Sequence, residues 1–197
     1  MILIHCWEGD LDRLKQLVST INSKHTIYCI GDGVFPGAGD YQIHGNRLKP
    51  IGNGQAWNKR WLKLFLATGE GWCIKLDPDS RFNYDPVLPP FPGYWGNFHN
   101  SRHNGSFILG GGCAIDRESA KIVLKALSTV PTKWYDRYGI YATQYDKRVC
   151  VDKMTHCDLG MRDAATEAGV NSYHWDQVSV KFREVPEYAA IQHPIYD

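Results

Sequence analysis

The run Trp72-Cys73-Ile74-Lys75-Leu76, entered from Gly71, stops abruptly at Asp77-Pro78-Asp79. A short apolar run with an aromatic and a β-branched residue, bounded by glycine, reads as a strand buried on both faces. Pro78 biases Asp77 toward an extended conformation. In an extended chain residues i and i+2 point the same way. The expectation is therefore two carboxylates leaving the end of a core strand on one side. That pair suits a hard divalent cation, Mn²⁺ or Mg²⁺, which often takes one or two carboxylates plus substrate phosphates. Open α/β sheets also place their ligands at strand ends. A capped turn with solvated acids is the plainer reading, because a bare Asp-x-Asp is a common pattern. A second such pattern, Asp10-Leu11-Asp12, precedes a helical repeat, where capping explains it.

The segments around this strand alternate in type. Ile2 to His5 reads as a first strand. Leu11, Leu14, Leu17, Val18 and Ile21 then recur at helical spacing, and Thr26 to Ile30 reads as a second strand ending at Gly31-Asp32-Gly33. This β-α-β start implies parallel strands. Asp32 is either a turn residue between glycines or an acceptor for a nucleotide base or ribose. Residues 34–54 read as a loop with a short strand at Tyr41-Gln42-Ile43. Trp57, Trp61, Leu64 and Phe65 predict a helix over Gln55 to Thr68, with Lys59, Arg60 and Lys63 on a solvated face. Pro86, Pro89, Pro90 and Pro92 exclude a regular helix there.

Tyr94 to Phe98 and Phe107 to Leu109 read as strands, the second running into Gly110-Gly111-Gly112. Three glycines signify either a bulge or tight turn, or close approach of backbone to a ligand. Asp116 is placed to cap a helix carrying Ile122, Val123, Leu124 and Leu127. Thr132 to Asp152 gives no clear pattern. Asp158 precedes a helical segment ending near Gly169, and it is either that helix's cap or a functional acid. Val178 to Phe182 reads as a last strand.

Length and charge narrow the classes. The chain has 197 residues, enough for one domain with a proper core, and no boundary divides 1–197. Lys+Arg number 22 against 21 Asp+Glu, without a run of either sign, which argues against a nucleic-acid surface. The chain shows no apolar run long enough for a signal peptide or membrane span, so cytoplasmic residence is the expectation. Cys6, Cys29, Cys73 and Cys113 lie in or beside apolar strands and read as small core residues. Cys150, His156 and Cys157 lack a zinc spacing.

Taken in order, these features resemble the GT-A fold glycosyltransferases, with the closest echo in the Fringe-like and β1,3-galactosyltransferase group. The matching pieces are the N-terminal β-α-β ending at Asp32, IKLDPDSRF, FILGGGCAIDRESA, HCDLG opening a helix, and a histidine near the C-terminus. The resemblance implies an α/β, Rossmann-like mixed sheet flanked by helices, and transfer of a sugar from a nucleotide-diphosphate sugar, UDP-linked, to a glycan or small hydroxyl acceptor. It implies Asp79 as the principal metal ligand, Asp77 on the ribose or a metal-bound water, and His193 as a further ligand. It implies Gly111 and Gly112 lining the cleft, and Asp158 as catalytic base. The sequence departs from the group at Pro78, where a third aspartate is usual, and at Cys157, where glutamate often precedes the base. A nucleotidyltransferase and an inactive sugar- or nucleotide-binding module are the alternative readings.

Overall fold

Residues Ile2–Cys6 form β1, a strand buried at every position. In the computed structural model the residues described are 1–6, 8–21, 24–31, 39–44, 54–101, 105–129, 134–135, 141–142, 157–180 and 189–193. A 3-10 turn at Glu8–Asp10 leads into α1 (Leu11–Thr20), whose Leu14 and Leu17 are buried as the spacing predicts. Then come β2 (Ile27–Gly31), β3 (Tyr41–His44), α2 (Gly54–Thr68) and β4 (Trp72–Leu76). β5 (Arg81–Phe82), β6 (Tyr94–Ser101) and β7 (Gly105–Asp116) follow, and Asp116 caps α3 (Arg117–Thr129) by accepting the N–H groups of Glu118 and Ser119 at 3.0 Å each. A small hairpin joins β8 (Trp134–Tyr135) to β9 (Tyr141–Ala142). The chain closes with α4 (Cys157–Glu167), β10 (Ser172–His174), β11 (Val178–Val180) and β12 (Ile191–His193).

Seven strands make one mixed sheet in the order β10-β6-β7-β4-β1-β2-β3. β1 pairs in parallel with β2 and with β4, whereas β7 runs antiparallel between β4 and β6. The half β3-β2-β1-β4 has the order of a doubly wound Rossmann-like sheet. From β1 the chain winds to one side and later returns to the other, so the crevice beyond the carboxyl ends of β1 and β4 is the switch point. Such crevices are where α/β sheets bind ligands.

Alternation assigns the two faces of the sheet. Leu3, Cys73, Cys113 and Ile115 pack against Trp61, Leu62 and Phe65 of α2, Val123 and Leu127 of α3, and Met161 and Ala164 of α4. Ile2, Ile4, Ile74, Leu76 and Ala114 pack on Leu14 and Leu17 of α1 and on Val178 and Ile191. The last two belong to a three-stranded sheet, β11-β12-β5, lying on this second face. A fully buried Leu or Phe contributes about 1.5–3 kcal/mol, so both layers hold the sheet firmly. Cys6, Cys29, Cys73 and Cys113 are buried free thiols, as the apolar patterns indicate.

The glycine triplet is not a terminal turn, because it lies within β7. Gly96 pairs with Cys113 and Phe98 with Ile108, so two steps along β6 match five along β7. The glycines fall inside this register shift, which agrees with the bulge reading.

A candidate active site at the switch point

β4 does not continue in extended form through its acids. Ser80 N–H donates to the Asp77 carbonyl at 3.0 Å, which closes a turn over Asp77-Pro78-Asp79-Ser80. Proline is favoured at the second position of such a turn. The expectation of an extended pair on one side is therefore corrected, because Pro78 and Asp79 occupy the middle of the turn and the two-residue alternation stops after Asp77. Ser80 Oγ also donates to the Gly111 carbonyl at 2.7 Å and pins the turn to β7.

Asp77, just past the end of β4, lies against Lys75, its i−2 neighbour. The Lys75 ammonium donates to Asp77 Oδ1 and, at 2.8 Å, to the Gly110 carbonyl. Its side chain is only 12 % exposed. Burial alone pulls its pKa down, but the Asp77 carboxylate outweighs that and holds it above the usual lysine value. The ammonium stays charged, so Asp77 is neutralised within the protein.

Gly110 touches the third acid. A Cβ placed on Gly110 falls 2.6 Å from Asp158 Oδ1, so this carboxylate rests directly on the glycine backbone. Asp158 lies in the first turn of α4 rather than at the N-cap, because the helix begins at Cys157. An acidic group there is favoured by the helix dipole. Asn58 Nδ2 donates to the Cys157 carbonyl at 2.8 Å, and Asn58 Oδ1 accepts from Trp61 Nε1–H at 3.3 Å, which ties the start of α4 to α2. Residues 77, 110 and 158, far apart in the chain, thus share one end of the sheet through Lys75.

The end of β1 adds groups that the sequence reading passed over. His5 is 8 % exposed, its Nε2 has no hydrogen-bond partner, and its ring meets Trp57 edge-on at 3.5 Å between centroids. Burial first, then the Lys75 charge, lowers its pKa well below the usual value, so the imidazole is neutral at pH 7. Arg60 lies over the Trp57 ring at 5.5 Å and adds to that lowering. Arg60 is half-buried and turned to this crevice, which corrects its assignment to a solvated face.

Asp10 occupies the N-cap position of α1 without making a side-chain cap bond, against the capping expectation. It is 8 % exposed and its Oδ2 has no partner, while Oδ1 lies 3.7 Å from Arg13. Burial raises its pKa, Arg13 opposes that, and the charges of Asp79 and Asp77 add to the rise. The charges of the Asp77–Asp79 turn are therefore felt at Asp10. The signal that could have found it was position: it follows a buried strand as Asp77 does.

The remaining expected residues divide. Asp32 lies outside the described residues. Gly112 does not line an open cleft, because a Cβ there would meet Val178 at 3.0 Å and Ile191 at 3.3 Å. Gly111 is buried beneath Ser80. The His193 backbone pairs with Val180 of β11 at the end of β12, one residue past Gln192, which pairs with Arg81 of β5. Among the described residues no three His, Cys, Asp or Glu side chains converge as a metal site. The buried Asp10 oxygen without a partner, which feels the charges of Asp79 and Asp77, nevertheless fits a hard cation that one or two carboxylates and phosphate oxygens would hold.

No protein family model matches the chain, and no curated protein matches it. Among the described residues no helix is long and apolar enough to cross a membrane.

Proposed function

We propose that the chain is a GT-A-type glycosyltransferase that moves a sugar from a UDP-sugar to an acceptor hydroxyl with inversion, using Mn²⁺ or Mg²⁺. The observation carrying this reading is the linkage of the Asp77–Asp79 turn, through Lys75 and Gly110, to the Asp158 carboxylate. An acid pair for a metal diphosphate and a separate acid for proton removal are the two parts such a transfer needs. The crevice beyond β1 and β4 is where a nucleotide binds in sheets of this order.

In this reading Asp79 would hold the cation, Asp10 would supply nearby negative charge, Asp77 would stand by, paired with Lys75, and His193 remains the further ligand that the family resemblance implies. A cation held at Asp79 would supply Lewis-acid stabilisation of the charge that develops on the departing diphosphate. Asp158 accepts the proton of the acceptor hydroxyl as its oxygen attacks the anomeric carbon. The carbon–phosphate-oxygen bond breaks, its electron pair leaves with UDP, and the anomeric configuration inverts. Trp57 and Arg60 of α2 stand with His5 of β1 at this end of the sheet.

The test is a thermal-shift and product assay with UDP-sugars and Mn²⁺. Stabilisation by UDP that requires Mn²⁺, release of UDP rather than pyrophosphate, and loss of both in Asp79→Ala with the fold retained are expected. Pyrophosphate release would instead identify a nucleotidyltransferase.

A further inference from the structure

Lys75 stands where a cation would have to approach Asp77. Its ammonium is nearly buried, and its two contacts, to Asp77 and to the Gly110 carbonyl, fix it in place. The Gly110 bond matters, because swinging the ammonium away would strip a partly buried carbonyl and leave Asp77 without this counter-charge. A divalent ion arriving alone therefore finds one of the turn's two acids already neutralised. It also meets the like charge of the Lys75 ammonium, which is nearly buried beside Asp77. A nucleoside diphosphate reverses this balance, since its oxygens bring negative charge that serves the ion and the ammonium together.

Building on the glycosyltransferase reading, we propose that Lys75 makes divalent-ion binding conditional on the nucleotide: the ion is taken up with the diphosphate, and the ammonium keeps the free ion out. Lys75 is then a positioning residue with an electrostatic function. A lysine that merely stapled β4 to β7 would influence stability, not the dependence of ion binding on nucleotide.

Free Mn²⁺, counted by electron paramagnetic resonance, separates these roles. The wild-type chain is titrated with Mn²⁺ alone and with Mn²⁺ plus UDP, and the titrations are repeated on Lys75→Met and Lys75→Gln. The glutamine variant retains a donor for the Gly110 carbonyl without the charge. In the wild type, Mn²⁺ alone binds at least about tenfold more weakly than with UDP. In either folded variant, the affinity for Mn²⁺ alone rises about tenfold, the order expected for removing one nearby like charge, and the UDP effect shrinks. Equal wild-type affinity with and without UDP overturns the proposal, even if neither variant folds. A folded variant with unchanged affinity for Mn²⁺ alone also overturns it. If the wild type binds Mn²⁺ with UDP but the variants show no gain, only the role of Lys75 fails. If the wild type shows no Mn²⁺-dependent UDP binding, the glycosyltransferase reading fails and takes this proposal with it.

Discussion

A single methyl group at Gly110 tests the placement of Asp158. Gly110 has no positive φ, so alanine fits its backbone. The added Cβ falls 2.6 Å from Asp158 Oδ1, whereas such contacts essentially never close below 3.0 Å and are relaxed from 3.4 Å. The carboxylate must therefore retreat by 0.4 to 0.8 Å, the gap between those limits and 2.6 Å. It is the end of a short side chain and can turn aside, at about 0.5–1.5 kcal/mol if it leaves its rotamer. For a chain of this size that lowers Tm by about 1–6 °C. The effect on proton transfer is larger. A base must sit within hydrogen-bond reach of the hydroxyl, and a misplacement near 1 Å can cost about 10²-fold. Gly110→Ala should thus lower turnover by about 10- to 10²-fold while UDP–Mn²⁺ affinity, read by calorimetry, stays near wild type. Turnover at the wild-type rate would refute the idea that Asp158 acts from its seat on Gly110. An equal loss of UDP–Mn²⁺ affinity would show the methyl acting through the Lys75 contact instead.

Asp158→Asn should fold and bind donor normally but turn over about 10²–10⁴-fold more slowly, because an amide cannot accept the proton; UDP release under saturating donor measures it. Gly112→Ala should behave oppositely: its Cβ crowds Val178 and Ile191, so Tm falls by the equivalent of about 1–3 kcal/mol of overpacking and any loss of activity follows unfolding. Asp10→Asn should raise Tm at pH 7. The folded-state pKa of Asp10 is raised above 3.8, so its ionisation disfavours the fold as pH climbs through that raised value. The gain over wild type should fade as pH falls toward 4, and a gain unchanged down to pH 3 would contradict the assignment.

The parts of the fold that could be read from sequence are those whose pattern is local. Leu14 and Leu17 in α1, Trp61 and Phe65 in α2, and the Asp116 cap of α3 each announce themselves within a few residues, and each lies where the spacing puts it. β5, β10 and β12 have two or three residues apiece and carry no such pattern. Arg81–Phe82 is a strand because Ile191–His193 pairs with it from the far end of the chain. The same distance effect hid the site's connections. Nothing near residue 158 reveals that its carboxylate rests on Gly110, and nothing near residue 58 reveals that Asn58 holds the start of α4.

Lys75 shows how a sound rule can be applied to the wrong pair. Alternation along a strand, used on Asp77 and Asp79, predicted two carboxylates on one side. The strand ends at Leu76 and the chain turns at Pro78, so the rule loses its footing just where it was used. Applied one step earlier, it pairs Lys75 with Asp77, which lie two residues apart and touch. A lysine inside a strand otherwise buried among Cys73, Ile74 and Leu76 is costly to place unless something compensates its charge. The compensating group was legible in the sequence two residues on. A carboxylate already paired in this way is a poorer ligand for a free ion than one standing alone, so the lysine changes what the acid beside it can do.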